Sequence, residues 1–181
     1  MKGKSVYFAL SALLLGADQL TKFWATLSLK PVGSIEVIPR CFRLTYAVNR
    51  GVAFSLLADS ALDIRWVLAA VSAAAAVMVG GYLVRRSPAR RRMNISLSLL
   101  LAGIVGNLID RVRLGEVVDF LDFHWAERLI WPTFNLADAA ICCGAALLAL
   151  ELLREEKATG QPAFPASRPA PPAEETSIGS D

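Results

Sequence analysis

Histidine, cysteine and charge are all scarce in this 181-residue chain, which has one histidine, three cysteines and only 19% Asp, Glu, Lys and Arg. A lone His124 without clustered Cys/His spacing leaves a dedicated zinc site short of ligands, so no metal is expected, and nothing suggests another cofactor. Cys142 and Cys143 are adjacent and cannot bridge each other without severe strain, so no disulfide framework is expected. Cys41 and His124 would make a thiol dyad only if folding joined them, and nothing in the sequence does. The chain also lacks a Gly-x-Ser-x-Gly elbow and a His-Glu-x-x-His helix, which removes two common hydrolase designs.

Apolar side chains are abundant. They make up 55% of the chain and give a mean hydropathy of +0.46, too oily for a soluble domain of this size. The net charge of +3 and pI near 8.9 arise from bases that flank hydrophobic runs, which is a topology signal, and no nucleic-acid partner is expected. A spanning helix needs about 20 apolar residues. Four stretches meet that need, at about 6–27, 66–84, 93–109 and 136–153. Met1-Lys2-Gly3-Lys4 and the apolar run behind it imitate a secretory signal peptide, but the helical pattern continues through Asp18 to Ala25, so an uncleaved first span is expected.

Lys2 and Lys4, the arginines at 85, 86, 90, 91 and 92, and Arg154 with Lys157 place both termini in the cytoplasm. The fold expected is an all-α membrane protein of four transmembrane helices with a small extracytoplasmic sheet at about 31–57 and an interfacial loop or helix at about 112–133. The sheet is read from alternation in Ile35-Glu36-Val37-Ile38 and Phe42-Arg43-Leu44-Thr45-Tyr46, punctuated by Pro31, Gly33, Pro39 and Gly51. Residues 1–156 form the membrane domain, and the Pro/Ala-rich stretch 157–181 reads as a disordered cytoplasmic tail.

Ionisable groups in a span are unfavourable by about 2.5 to 3.5 kcal/mol each at mid-membrane, so each needs a reason. Asp18 and Lys22 are four apart and share a helical face. Ser98, Ala102, Gly106 and Asp110 form a small-residue stripe ending in a carboxylate, with Gly103, Asn107 and Arg111 beside it. Asn135 is placed to cap the fourth span, with Asp138 in its first turn, where the helix dipole favours an anion. Cys142, Ala145 and Ala149 below Asp138 offer a small face to pack on span three. Asp119, between Val118 and Phe120, sits where apolar neighbours raise a carboxyl pKa. Two such carboxyls in one dry site can share a proton, one activating water while the other protonates a departing group.

In order and spacing, Asp18-Gln19-Leu20-Thr21-Lys22, Asn49-Arg50-Gly51-Val52-Ala53-Phe54, Gly106-Asn107-Leu108-Ile109-Asp110-Arg111, Val117-Val118-Asp119-Phe120 and Trp131-Pro132-Thr133-Phe134-Asn135-Leu136-Ala137-Asp138 resemble the signature segments of bacterial lipoprotein signal peptidase, or signal peptidase II. The resemblance covers about residues 5–154. It implies an aspartic endopeptidase of the bacterial cytoplasmic membrane that cuts a prolipoprotein just before its diacylglyceryl-modified cysteine. It also implies that Asp119 and Asp138 are the catalytic pair, and that Asp18, Lys22, Asn49, Gly103, Asn107, Asp110, Arg111, Asn135 and Ala137 bind substrate or shape the pocket. The partners expected are that precursor and membrane lipids, for a monomeric enzyme whose site lies near the outer leaflet. Two rivals remain on the residues alone: a small ion- or proton-coupled transporter using the intramembrane acids, and a noncatalytic assembly factor whose acids only bind partner helices.

Overall fold

The computed structural model describes residues 3–51, 64–125 and 129–159. Four long helices form as the apolar runs dictate: α1 (Ser5–Ser28), α2 (Ile64–Arg85), α3 (Arg91–Arg113) and α4 (Leu136–Thr159). By length and composition, α2, α3 and α4 are apolar enough to cross a membrane, with mean hydropathies of 2.1, 1.6 and 2.0. Helix α1 is equally long at 24 residues, but it carries Asp18, Gln19 and Lys22 in its second half. Asp18 and Lys22 are buried, at 2% and 3% exposure, so α1 turns its charges into the protein and leaves Leu13, Leu20 and Phe23 outside. The chain is a multi-pass membrane protein.

Helix α3 is the centre of the bundle. It packs against α1, α2 and α4, and 44% of its apolar window is buried against 11% in each of α2 and α4, whose remaining surface is left for lipid. Serine and glycine make this closeness possible: Ser11 Oγ donates to the Ser98 carbonyl at 3.0 Å, and a Cβ added at Gly144 would stand 2.9 Å from the Ser96 carbonyl oxygen. At one end Tyr7, Leu83, Met93 and Leu97 form a small core joined by Leu148 and Leu152. The side chain of Lys4 reaches the Val84 carbonyl, and Asn94 ties down the α2–α3 link through the Ser87 carbonyl at 2.9 Å.

The other end carries an antiparallel sheet of β1 (Ser34–Ile38), β2 (Phe42–Asn49), β3 (Val117–Trp125) and the two-residue β4 (Leu129–Ile130), in that spatial order. Register shifts in β2 between Leu44 and Ala47, where it pairs β3, bend the strand so that Ala47 faces Asp119 and Asn49 faces Val117. The sheet rests on the helix ends through Ala25, Leu29, Val118 and Phe120, with Leu44, Tyr46 and Leu136 around them. The 112–133 stretch, expected as an interfacial loop or helix, instead extends α3 to Arg113 and then supplies β3, hydrogen-bonded on both sides. Val52, Ala53 and Phe54 of the second motif, and the tail beyond Thr159, lie outside the described residues.

Candidate active site

Backbone pairing brings the two aspartates together. The carbonyl of Phe134 accepts from the Phe120 and Leu121 amides at 3.0 and 2.8 Å, and the Phe134 amide returns a bond to the Leu121 carbonyl at 3.0 Å. The segment that leads into α4 is thus stitched beside β3. Asn135 follows immediately, fully buried, and its Nδ2 donates to Asp119 Oδ1 at 2.7 Å.

Asn135 also caps α4. Its Oδ1 accepts from the Asp138 amide at 2.9 Å, and the Asn135 amide donates to Asp138 Oδ2 at 3.3 Å. This is a reciprocal capping box with an acid at the third helical position, satisfying donors that a helix start leaves open. One asparagine therefore touches both carboxyls and fixes their spacing.

Behind Asn135 lies a second relay. Asn107 Nδ2 donates to Asp138 Oδ1 at 2.7 Å, while Asn107 Oδ1 accepts from Lys22 Nζ at 2.9 Å and from Asn135 Nδ2 at 3.3 Å. Lys22 is in turn clamped by Asp18 and Asp110 at 3.0 and 2.9 Å. A buried ammonium between two carboxylates and an amide oxygen has every proton answered, which such burial requires. The two acids also hold backbone: Asp18 Oδ1 accepts from the Ala137 amide at 2.9 Å, at the positive start of α4, and Asp110 Oδ2 accepts from the Val118 amide at 3.3 Å. Helices α1 and α3 are thereby fastened to both β3 and α4.

Glycine at 103 and 106 is a steric requirement here. A Cβ at Gly103 would lie 2.3 Å from the Ala137 carbonyl oxygen, and one at Gly106 would lie 2.6 Å from Asp18 Oδ2. Helix α4 meets α3 through Ala137, Ile141 and Gly144. The expected packing face of Cys142, Ala145 and Ala149 is exposed. Its rotation away from the seam has a direct reason, since Ala137 carries the carbonyl that enters the Gly103 notch, and Asp138 is then turned about 100° round the helix toward an open cavity.

That cavity measures about 690 Å³, and Asp138 is the one charged residue in its wall among the described residues. Asn49, Phe123, Trp131, Thr133 and Phe134 line it as well, an apolar and aromatic setting with a few polar groups. Phe42, Phe123 and Phe134 stack in series at 4.6 and 5.8 Å between ring centroids. Asp119 is more enclosed, at 2% exposure. Burial and, second, the charge of Asp138 push its pKa from 3.8 up to about 6, against hydrogen bonds from Asn49 and Asn135 and the positive charge of Lys22, which pull it down.

Most of the residues singled out from sequence therefore meet in one connected network: Asp18, Lys22, Asn49, Gly103, Asn107, Asp110, Asn135 and Ala137 around Asp119 and Asp138. Arg111 does not. Its Nη1 lies 3.5 Å from Ser72 Oγ on α2 and from the Asn107 carbonyl, turned to a different helix. Gln19 was missed, although its Nε2 reaches Asp18, the Gly106 carbonyl and Asp110 at 3.1 to 3.3 Å; an amide beside Asp18 within a span was the available signal. Cys41 and His124 are neighbours after all, through a backbone bond of 3.0 Å at the far side of the sheet. Among the described residues no group of three or more His, Cys, Asp or Glu side chains is placed to hold a metal ion; Asp18 and Asp110 converge on Lys22 instead.

A bundle of membrane helices with a capped, paired-aspartate site under a small sheet at one end defines a multi-pass membrane protein built around buried carboxyls. The family model described as signal peptidase (SPase) II matches residues 10–154, and the chain belongs to that family. Among its relatives, a lipoprotein signal peptidase of Geobacter metallireducens is 43% identical over 155 residues, covering 84% of this chain and 93% of the relative. One of Ectopseudomonas mendocina is 43% identical over 163 residues, covering 89% and 95%. Two solved structures described as bacterial membrane enzymes share the fold, one with a TM-score of 0.73 at 26% identity over 90% of this chain and 95% of the other. The second has a TM-score of 0.74 at 28% identity over 83% and 94%.

Proposed function

We propose that this protein is an aspartic endopeptidase that cleaves the signal peptide from diacylglyceryl-modified prolipoproteins immediately before the lipidated cysteine, with Asp119 and Asp138 as the catalytic pair. Family membership supports the substrate class. The observation that carries the residue roles is Asn135, which bonds both carboxyls at once.

Asp138, in the cavity wall and held by Asn107, is the base that takes a proton from water. Asp119, enclosed and proton-retaining up to about pH 6, donates to the scissile carbonyl oxygen as water adds to the carbon. Collapse of the tetrahedral species breaks the C–N bond and re-forms the carbonyl, a hydroxyl proton returning to Asp119 while the proton taken by Asp138 passes to the leaving amine. The pair titrates as a unit, and these roles describe its singly protonated form. Asn49, at the cavity wall and bonded to Asp119, holds that acid. Lys22, Asp18, Asp110, Asn107, Gly103 and Ala137 fix its frame, and Arg111 braces α2.

The exposed apolar surface and the lysines and arginines at the opposite end support residence of the monomer in the bacterial cytoplasmic membrane, with both termini cytoplasmic and the site near the outer leaflet. The peptidase domain is taken as residues 1–156, with α4 running on to Thr159. The transporter reading finds no support, since Asp18, Lys22, Asp110, Asp119 and Asp138 gather at one end of the bundle around a single network.

Asp119→Asn and Asp138→Asn keep size and hydrogen-bonding capacity while removing the proton transfers. Each is expected to lower cleavage of a lipid-modified precursor in detergent by at least about 10⁴-fold with the fold intact, as removal of an essential acid or base does. Full activity in both folded variants would overturn the assignment.

A further inference from the structure

A second cavity, of about 260 Å³, opens between the outer ends of α1 and α3 and the face of β2, and it shares no residue with the cavity at Asp138. Three cations line it, Lys22, Lys30 and Arg113, of which Lys22 is already held by Asp18 and Asp110 at 3.0 and 2.9 Å. Its acids are already taken, Asp110 by Lys22 at 2.9 Å and Glu116 by Arg50 at 2.9 Å. Lys30 is steadied over the Tyr46 ring, 5.7 Å from its centroid. Among the described residues neither Lys30 nor Arg113 has a carboxylate partner, so the cavity presents two unanswered positive charges.

Its rim is apolar. Phe23 and Leu114, both in its lining, are 63% and 55% exposed, and stand at the sheet-side ends of α1 and α3. A soluble anion has no use for such a rim, whereas a lipid has both a phosphate and acyl chains. We propose that this cavity is a binding site for the headgroup of an anionic phospholipid from the leaflet that borders the sheet. The phosphate lies between the Arg113 guanidinium and the Lys30 ammonium, and the acyl chains run down past Phe23. The headgroup then sits against Lys22 and Asp110, members of the network that frames the acid pair.

The test is lipid retention by the purified full chain, equilibrated with mixed phosphatidylglycerol and phosphatidylcholine and read by native mass spectrometry. The wild type is expected to retain phosphatidylglycerol in preference. The Lys30→Gln/Arg113→Gln double variant is expected to lose about 30-fold of that preference, as removal of two bases near a membrane surface implies. Arg85→Gln/Arg86→Gln, at the opposite end of α2, should keep it. The proposal fails if the double variant retains the lipid like the wild type, or if the control loses it equally. It also fails if inorganic phosphate displaces the lipid as well as short-chain phosphatidylglycerol does, which would make the cavity a plain phosphate site. Should the double variant not fold, the two single variants carry the same comparison.

Discussion

Replacing Gly103 by alanine adds one methyl group at the tightest point of the molecule. The new Cβ would stand 2.3 Å from the Ala137 carbonyl oxygen and 2.7 Å from Ile141 Cγ1, where ordinary contact begins at 3.4 Å. The first obstacle is backbone and cannot rotate away, so α4 must retreat from α3 by about 1 Å, and overpacking of this kind is unfavourable by about 1–3 kcal/mol. Asp138 lies on the retreating turn, and its 2.7 Å bond to Asn107 Nδ2 stretches with it. A displacement of about 1 Å at a reacting group lowers rate by about 100-fold. The assay is cleavage of a lipid-modified precursor alongside thermal unfolding in the same detergent. Gly16→Ala and Gly81→Ala, whose added methyls meet nothing within 4 Å, serve as controls and should match the wild type. A Gly103→Ala enzyme that turns over within twofold of the wild type, with an unmoved midpoint, would refute the claim that this notch positions the acid.

Because the proposed role of Asp119 requires it protonated and its pKa stands near 6, kcat/KM is expected to fall as pH rises through about 6. Asn49→Ala removes a hydrogen bond that holds the value down, so the descending limb should move to higher pH; a limb that stays or moves lower contradicts the assignment. Lys22→Met leaves Asp18 and Asp110 facing each other without their cation and should destabilise the protein by about 3–5 kcal/mol. Adding Asp110→Asn should recover part of the lost unfolding midpoint, and no recovery would argue against the ion triad as the source.

The helices were legible because lipid demands long apolar runs. The expected spans 66–84 and 136–153 fall inside the observed Ile64–Arg85 and Leu136–Thr159. The polar stripe Ser98, Ala102, Gly106 and Asp110 was legible for the same reason, since small and charged residues in a span have few places to go, and α1 fills that place. Strand β3 was hidden because its first half, Val117, Val118, Asp119 and Phe120, is buried on both faces, so the alternation that marks a half-exposed strand is missing there and emerges only toward the exposed Phe123. The packing face of α4 was misread because Cys142, Ala145 and Ala149 are as small as the residues that do pack. Only the depth of the Gly103 notch decides between faces one residue apart, and that depth is a property of two helices together. Arg111 went astray for a similar reason, as its direction depends on where α2 lies.

The capping box at Asn135 has a consequence for biogenesis. Asp119 is translated and threaded through the membrane before the residues that orient it exist, and its companion arrives with the last helix. A chain halted ahead of Asn135 carries one acid and no brace, so on the proposed roles the acid pair is assembled only when the final segment docks.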